Sequence, residues 1–167
     1  DAMPPARAAE RPPTADELRE FNGNFDTMVG LARISTKDGQ IDAEAAGHQF
    51  RLTPHEDGLF TIKYRLFGMM AVRVGAFEDI RLSMANVDGR KIIVGRIGAE
   101  SLIFGEKLKP TTIPERFWKN LGHYEIVGKI DGPTPDKLLL REDNGLLVGE
   151  AHFPEVPDLL LRIAFHA

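Results

Sequence analysis

The chain has 167 residues, no cysteine and a formal net charge of −4. At roughly 150 residues per domain, that length holds one domain and a tail. Hydrophobic residues at 43% and charged residues at 28% are ordinary for a water-soluble globular protein, and the missing cysteines exclude disulfide scaffolds, thiolate zinc sites and cysteine nucleophiles. Mild acidity argues against nucleic acid as a partner, because phosphate neutralisation needs clustered Lys and Arg.

Residues 1–15 carry four of the eleven prolines. Proline removes backbone donors and favours extended conformers, so this stretch reads as a semi-rigid linker or tail, with something expected before it. It lacks the apolar core of a signal peptide. No run of about 18 apolar residues occurs anywhere, so no membrane span is expected, and periplasm and cytoplasm both remain open. Residues 16–167 form the folded part.

Thr14 with Glu17 three residues on is a capping box, which predicts a short helix from Ala15. Beyond it the punctuation is that of antiparallel β structure. Asp38-Gly39, Asp57-Gly58, Asp88-Gly89, Asp131-Gly132 and Asn144-Gly145 all tolerate the positive φ of tight hairpins. Strands are predicted at Met28–Ser35, Gln40–Ala46, Gln49–Thr53 and Leu59–Leu66, then at Ile80–Met84, Lys91–Ile97 and Ser101–Lys107. Pro114 at a first helical position and Gly122 beyond the end frame a second short helix. His123–Val127, Lys137–Arg141, Leu146–His152 and Leu159–Phe165 complete the strands. In Leu59–Leu66 the residues Phe60, Ile62, Tyr64 and Leu66 share one face, against Thr61, Lys63 and Arg65 on the other. The fold class is therefore all-β, an antiparallel meander with two short helices whose edges are resolved by closing into a barrel or folding into a sandwich.

The two helix-to-strand junctions are alike. In Leu18-Arg19-Glu20-Phe21-Asn22-Gly23-Asn24-Phe25 and Phe117-Trp118-Lys119-Asn120-Leu121-Gly122-His123-Tyr124, an apolar residue precedes a Gly by five and an aromatic follows it by two. Gly39 leads by five to Glu44-Ala45, as Gly145 leads to Glu150-Ala151. Two related units are expected, 16–109 and 114–167, the second shorter. A hairpin partner for Leu159–Phe165 is expected, and the sequence reaches Ala167 before supplying one.

The run Leu18, Phe21, Gly23, Phe25, the hairpin Lys37-Asp38-Gly39-Gln40, and Phe50-Arg51-Leu52-Thr53-Pro54 leading to Asp57-Gly58-Leu59-Phe60 resemble the C-terminal β-barrel of β-lactamase-related serine hydrolases (relatives of class C β-lactamases, penicillin-binding proteins and D-aminopeptidases). The likeness covers 12–109 well and the rest loosely. It implies a lipocalin-like barrel of about eight or more strands behind a proline-rich linker. It also implies a catalytic serine-hydrolase domain N-terminal to Asp1, and accessory work for the barrel, gating substrate access or supporting assembly. Catalysis in that family needs Ser-x-x-Lys. Ser35, Ser83 and Ser101 have Asp38, Asn86 and Phe104 at the third following position, and Tyr64-Arg65-Leu66 and Tyr124-Glu125-Ile126 fail the Tyr-x-Asn or Tyr-x-Ser motif. No catalytic residue carries over, and this chain reads as non-enzymatic.

Other chemistry is sparse. His48, His55, His123, His152 and His166 lack metal-ligand spacing and read as surface or strand-end residues. Glu56-Asp57 and Glu142-Asp143 read as solvated turn residues. No metal or cofactor is expected. Phe60, Ile62, Tyr64, Ile80, Leu82, Met84, Phe104 and Leu161 are the residues expected to fill the barrel. Ligand-binding candidates are Tyr64 and the strand arginines Arg73, Arg81 and Arg96, with Arg162 in the same setting. Turned inward they would bind a carboxylate, and turned outward they would keep the barrel soluble. Phe67–Phe77 and Gly128–Asp136 are the loops suited to gating, the latter with Lys129 and Asp131 and stiffened by Pro133 and Pro135. The alternative function is a free-standing lipocalin-like carrier of a small apolar ligand in the lumen.

Overall fold

A computed structural model describes residues 8–66, 70–72, 79–128, 134–156 and 160–165. Helix α1 (Ala15–Phe21) starts where the capping box puts it. The Thr14 hydroxyl accepts from the Glu17 N–H at 3.2 Å, and the Glu17 carboxylate accepts from the Thr14 N–H at 2.8 Å. Gly23, at φ +137°, makes the sharp exit into the first strand, a conformation that favours glycine.

Nine strands follow: β1 (Gly23–Thr27), β2 (Gly30–Ser35), β3 (Ile41–Ala45), β4 (His48–Pro54), β5 (Phe60–Leu66), β6 (Met70–Val72), β7 (Ile80–Val87), β8 (Arg90–Ile97) and β9 (Glu100–Lys107). Each pairs with its neighbour in sequence except that β7 pairs with β5 and not with β6, and β1 then pairs with β9, Phe25 opposite Lys107. Eight strands, β1 to β5 and β7 to β9, thereby close an antiparallel barrel. The β5–β7 seam holds at one register pair, Phe60 opposite Leu82, while the far half of β5 pairs with β6. Two-residue turns with both φ values positive join hairpins at Ala46-Gly47, Asp88-Gly89 and Asn144-Gly145, while Asp38-Gly39, also at positive φ, lies in the longer connection between β2 and β3.

Alternation decides what fills the interior. Phe25, Ile34, Ile41, Leu52, Phe60, Ile62, Ile80, Leu82 and Ile93 are buried inside, with Phe50, Met84 and Phe104 packed against them. One end is sealed by α1, whose Phe21 is fully buried with its ring 4.7 Å from that of Phe60. The expected closed barrel is thus present, and it is complete within the first unit. Strand β1 is absent from the sequence-based set because Asn24 and Asp26 dilute its alternation. Leu161, expected as barrel filling, lies in a different sheet.

Of the expected linker, residues 8–14 are bound to the barrel. Arg11 N–H donates to the Pro54 carbonyl at 3.0 Å, Glu56 N–H donates to that of Ala9 at 3.0 Å, and Lys63 Nζ reaches Glu10 at 2.8 Å. His55 is the buried anchor, bonded through Nδ1 to the Ala8 carbonyl and through Nε2 to Thr61 Oγ1.

The second unit is a four-stranded antiparallel sheet. Helix α2 (Glu115–Trp118) leads to β10 (Gly122–Glu125), β11 (Lys137–Asp143), β12 (Leu146–His152) and β13 (Leu160–Phe165), in that spatial order. Gly122 repeats Gly23, at φ +140°. One face of this sheet lies on the barrel wall, where Leu146, Val148 and Ala164 meet Leu31 and Leu108. At Gly30 the backbones come closest: a Cβ there would fall inside the contact distance of the Arg162 carbonyl, and φ is +91°. Gly30→Ala is therefore expected to cost about 1–3 kcal/mol through strain and lost docking. Limited proteolysis should cut residues 122–165 first while the barrel persists. Equal stability and an unchanged cleavage pattern would contradict this packing.

Candidate functional site

The barrel lumen is packed at one end and hollow at the other. Between the α1 plug and the turns joining β1 to β2 and β3 to β4 lies a cavity of about 220 Å³. Small side chains on two adjacent strands create it. Ala32 on β2, and Ala43 and Ala45 on β3, face inward where larger residues would meet Leu82, Ile93 and Phe104 across the lumen. Thr27, Val29, Ala46 and His48 stand at its mouth, with Met28 and Val29 exposed beside it. The wall is apolar. The polar tip of Tyr64 is turned to His48, its hydroxyl 2.8 Å from Nδ1, while its ring meets Phe50 edge-on at 5.6 Å. That pairing occupies the Tyr64 hydroxyl and His48 Nδ1 with each other.

Tyr64 is thus on the inner face as expected, and the arginines are not beside it. Arg81 and Arg96 sit directly opposite each other on β7 and β8, on the face away from buried Leu82. Of the two placements open to them, this is the outward one: in a strand the neighbours of a core residue point outward. Arg73 lies outside the described residues, as do Lys129, Asp131 and Pro133 of the expected gating loop. Pro135 is at the described end of that loop, next to Asp136, which is tied to β12 through its N–H to the His152 carbonyl at 3.1 Å and its carboxylate to His152 Nδ1 at 2.8 Å. That bond holds the Asp136 carboxyl below its usual range. Of Phe67–Phe77, Met70–Val72 is strand β6 and the remainder lies outside the described residues.

Arg162 joins the two sheets. It reaches Glu44 on β3 at 2.5 Å and Glu150 on β12 at 3.2 Å, and Arg141 bridges Glu150 and Asp143, which in turn pairs with Arg33 on β2. Glu44 and Glu150, the repeated glutamates of the two units, thus meet at this one guanidinium, Glu150 shared with Arg141. Asp143 is mostly buried in this chain of charges, so the expectation of a solvated turn residue fails there. The sequence signal for this network was the paired Glu-Ala spacing. The signal for the cavity was Ala43-Glu44-Ala45, where two methyls occupy successive inward positions.

Among the described residues no three His, Asp or Glu side chains converge to hold a metal. Comparison with protein-family models, with curated proteins and with solved structures finds no match.

Filling the cavity should help folding. Ala43→Leu is expected to raise stability by about 1 kcal/mol, read as a higher denaturant midpoint at unchanged slope. A loss of stability would mean that the space is already filled by neighbouring side chains. A second expectation concerns pH. The Glu17 carboxyl is held below the usual carboxylate range, chiefly by the hydrogen bonds from Arg11. A carboxylate depressed in the folded state stabilises above its unfolded pKa of about 4.3 and loses that contribution as pH falls through the folded value. Screened by solvent, the pair contributes at most about 1 kcal/mol. In Glu17→Gln the acid-dependent part of stability should shrink accordingly, and identical acid unfolding curves would exclude the contribution.

Proposed function

We propose that the chain is a non-catalytic β-barrel module, the accessory part of a β-lactamase-related serine hydrolase, gating access to a neighbouring cleft or supporting assembly. The observation that carries this reading is where the resembling residues sit. Leu18, Phe21, Gly23 and Phe25 are the plug and the exit turn of the barrel: Phe21 and Phe25 are fully buried, and Leu18 packs on the core. The likeness therefore rests on the residues that build the closed end, and not only on common Asp-Gly turns. The missing Ser-x-x-Lys supports the same reading. Incubated with a fluorescent penicillin, the purified chain should take up no covalent label, and the coding sequence upstream of Asp1 should specify Ser-x-x-Lys followed by Tyr-x-Asn or Tyr-x-Ser. A labelled band would overturn the non-catalytic assignment.

The hollow end of the lumen favours a second reading, a lipocalin-like carrier of a small apolar ligand. An apolar cavity of this size has room for guests of the benzene class. At close-packed density about 220 Å³ takes a molecule of roughly 160 Å³, on the order of ten carbon atoms. Native mass spectrometry of the purified chain should show such a molecule retained, and Ala43→Leu should expel it. A lumen that takes up neither benzene nor xenon would remove this reading.

A further inference from the structure

The hollow half of the lumen and the second sheet share one wall. Strands β2 and β3 give alternate residues to its two sides. Ala32, Ile34, Ala43 and Ala45 face the cavity. Leu31, Arg33 and Glu44, which alternate with them, face the second sheet. Leu31 packs with Leu108, Leu146, Val148 and Ala164, Arg33 pairs with Asp143, and Glu44 pairs with Arg162 at 2.5 Å. The two units also share one register. Gly23 pairs with Ile34 as Gly122 pairs with Leu140, Arg33 with Glu44 as Leu139 with Glu150, and Ile41 with Leu52 as Leu147 with Phe165. Glu44 and Glu150 therefore hold equivalent places, and Arg162, reaching both, ties the sheets at a matched point.

The rim is tied in the same way. Thr27 and Val29 stand at the cavity mouth. The Thr27 hydroxyl donates to the Gly30 carbonyl at 2.6 Å and accepts from the Val29 N–H at 3.3 Å. Gly30 in turn lies against Leu161 and the Arg162 carbonyl of β13. Mouth and wall thus meet the second sheet through a single layer of backbone. On its inner side Ala32, Ala43 and Ala45 offer the lumen only methyl groups. An empty apolar cavity costs free energy in proportion to its volume, so a wall free to move inward relaxes to shrink it. Here an inward movement of β2 and β3 would draw Leu31 off its apolar partners and part Arg33 from Asp143 and Glu44 from Arg162. Parting half-buried charges is costly, and that cost holds the wall out.

We propose that the second sheet is a brace for the cavity. Docked, it keeps β2 and β3 at the spacing a guest needs. Undocked, it lets the wall close. Guest and sheet are then coupled, and such coupling is reciprocal: a guest tightens the sheet by the same factor as the docked sheet tightens the guest. Anything that lifts residues 122–165 from the barrel thereby discharges the lumen. The inference rests on the carrier reading and adds its control.

The probe is naphthalene, a ten-carbon hydrocarbon with its own fluorescence, titrated into the purified chain. Arg162→Ala, which removes the tie to Glu44, and Gly30→Ala, which disturbs the closest backbone contact, should each weaken binding about tenfold, within the usual range for coupled sites. Arg90→Ala, which removes a pair with Glu106 on the outer wall next to the plugged end, should bind like the unmodified chain. Gly30→Ala strains its own turn, so hydrogen exchange on the unmodified chain is an independent arm. Saturating naphthalene should slow exchange in β12 and β13 by about the same factor. Unmodified affinity in both Arg162→Ala and Gly30→Ala would overturn the proposal. So would an equal loss in Arg90→Ala, or unchanged exchange in β12 and β13. In each of those results naphthalene still binds the unmodified chain, and the carrier reading stands. No uptake by the unmodified chain would remove that reading and the brace together.

Discussion

The barrel depends on how α1 enters it. A meander of eight strands needs a stopper, because a tube of that width admits water at both ends unless side chains or a helix close it. Here the stopper is one aromatic, Phe21, set against Phe60 and delivered by a seven-residue helix that begins at a capping box and ends at a glycine turn. Burying a phenylalanine side chain is worth about 1.5–3 kcal/mol, enough to matter against a typical net stability of about 5–15 kcal/mol. With that end sealed, the bulky residues gather below and the alanines of β2 and β3 leave space above. The cavity is thus a consequence of where volume was placed, not of a hole left by poor packing.

The barrel and the second sheet are held by two kinds of contact that do different work. Leu31, Leu108, Leu146, Val148 and Ala164 remove apolar surface from water. The chain of charges from Arg33 through Asp143, Arg141, Glu150 and Arg162 to Glu44 adds direction. Charged groups at a half-buried interface tolerate few alternative placements, so they fix which face of the second sheet meets the barrel. Gly30 then sets how close the two backbones come.

The fold was largely legible because strands with one wet face announce themselves. Leu146–His152 was bounded to the residue, and the hairpin glycines stand at positive φ. Strand β1 was not, since its polar Asn24 and Asp26 alternate around only one strong inward residue, Phe25. The site was less legible for a simple reason. A cavity is an absence of side-chain volume, and alanines carry no chemical label in a sequence. The arginines left two placements open because a guanidinium among apolar letters suits either face until the register is known, and period-two geometry then gives Arg81 and Arg96 to the outer one. The repeat was visible as gapped spacings around Gly39 and Gly145, but its meaning, an identical hydrogen-bond register, exists only once the strands are paired.

The closing pair of the barrel has a kinetic consequence. The longest-range ladder in the meander is β1–β9, whose partners Phe25 and Lys107 are about eighty residues apart. Hairpins of the local kind form in roughly microseconds, but a contact across that span must overcome the entropy of closing the whole loop. Because that entropy grows only with the logarithm of loop length, the delay is modest, and it falls on a single event. Lys107 stands at that event, its ammonium donating to the Glu20 carbonyl at 2.8 Å and lying 5.8 Å from the centre of the Phe25 ring. It bonds helix, first strand and last strand together, so the plug and the closing ladder are coupled through one side chain, a link that no single strand encodes.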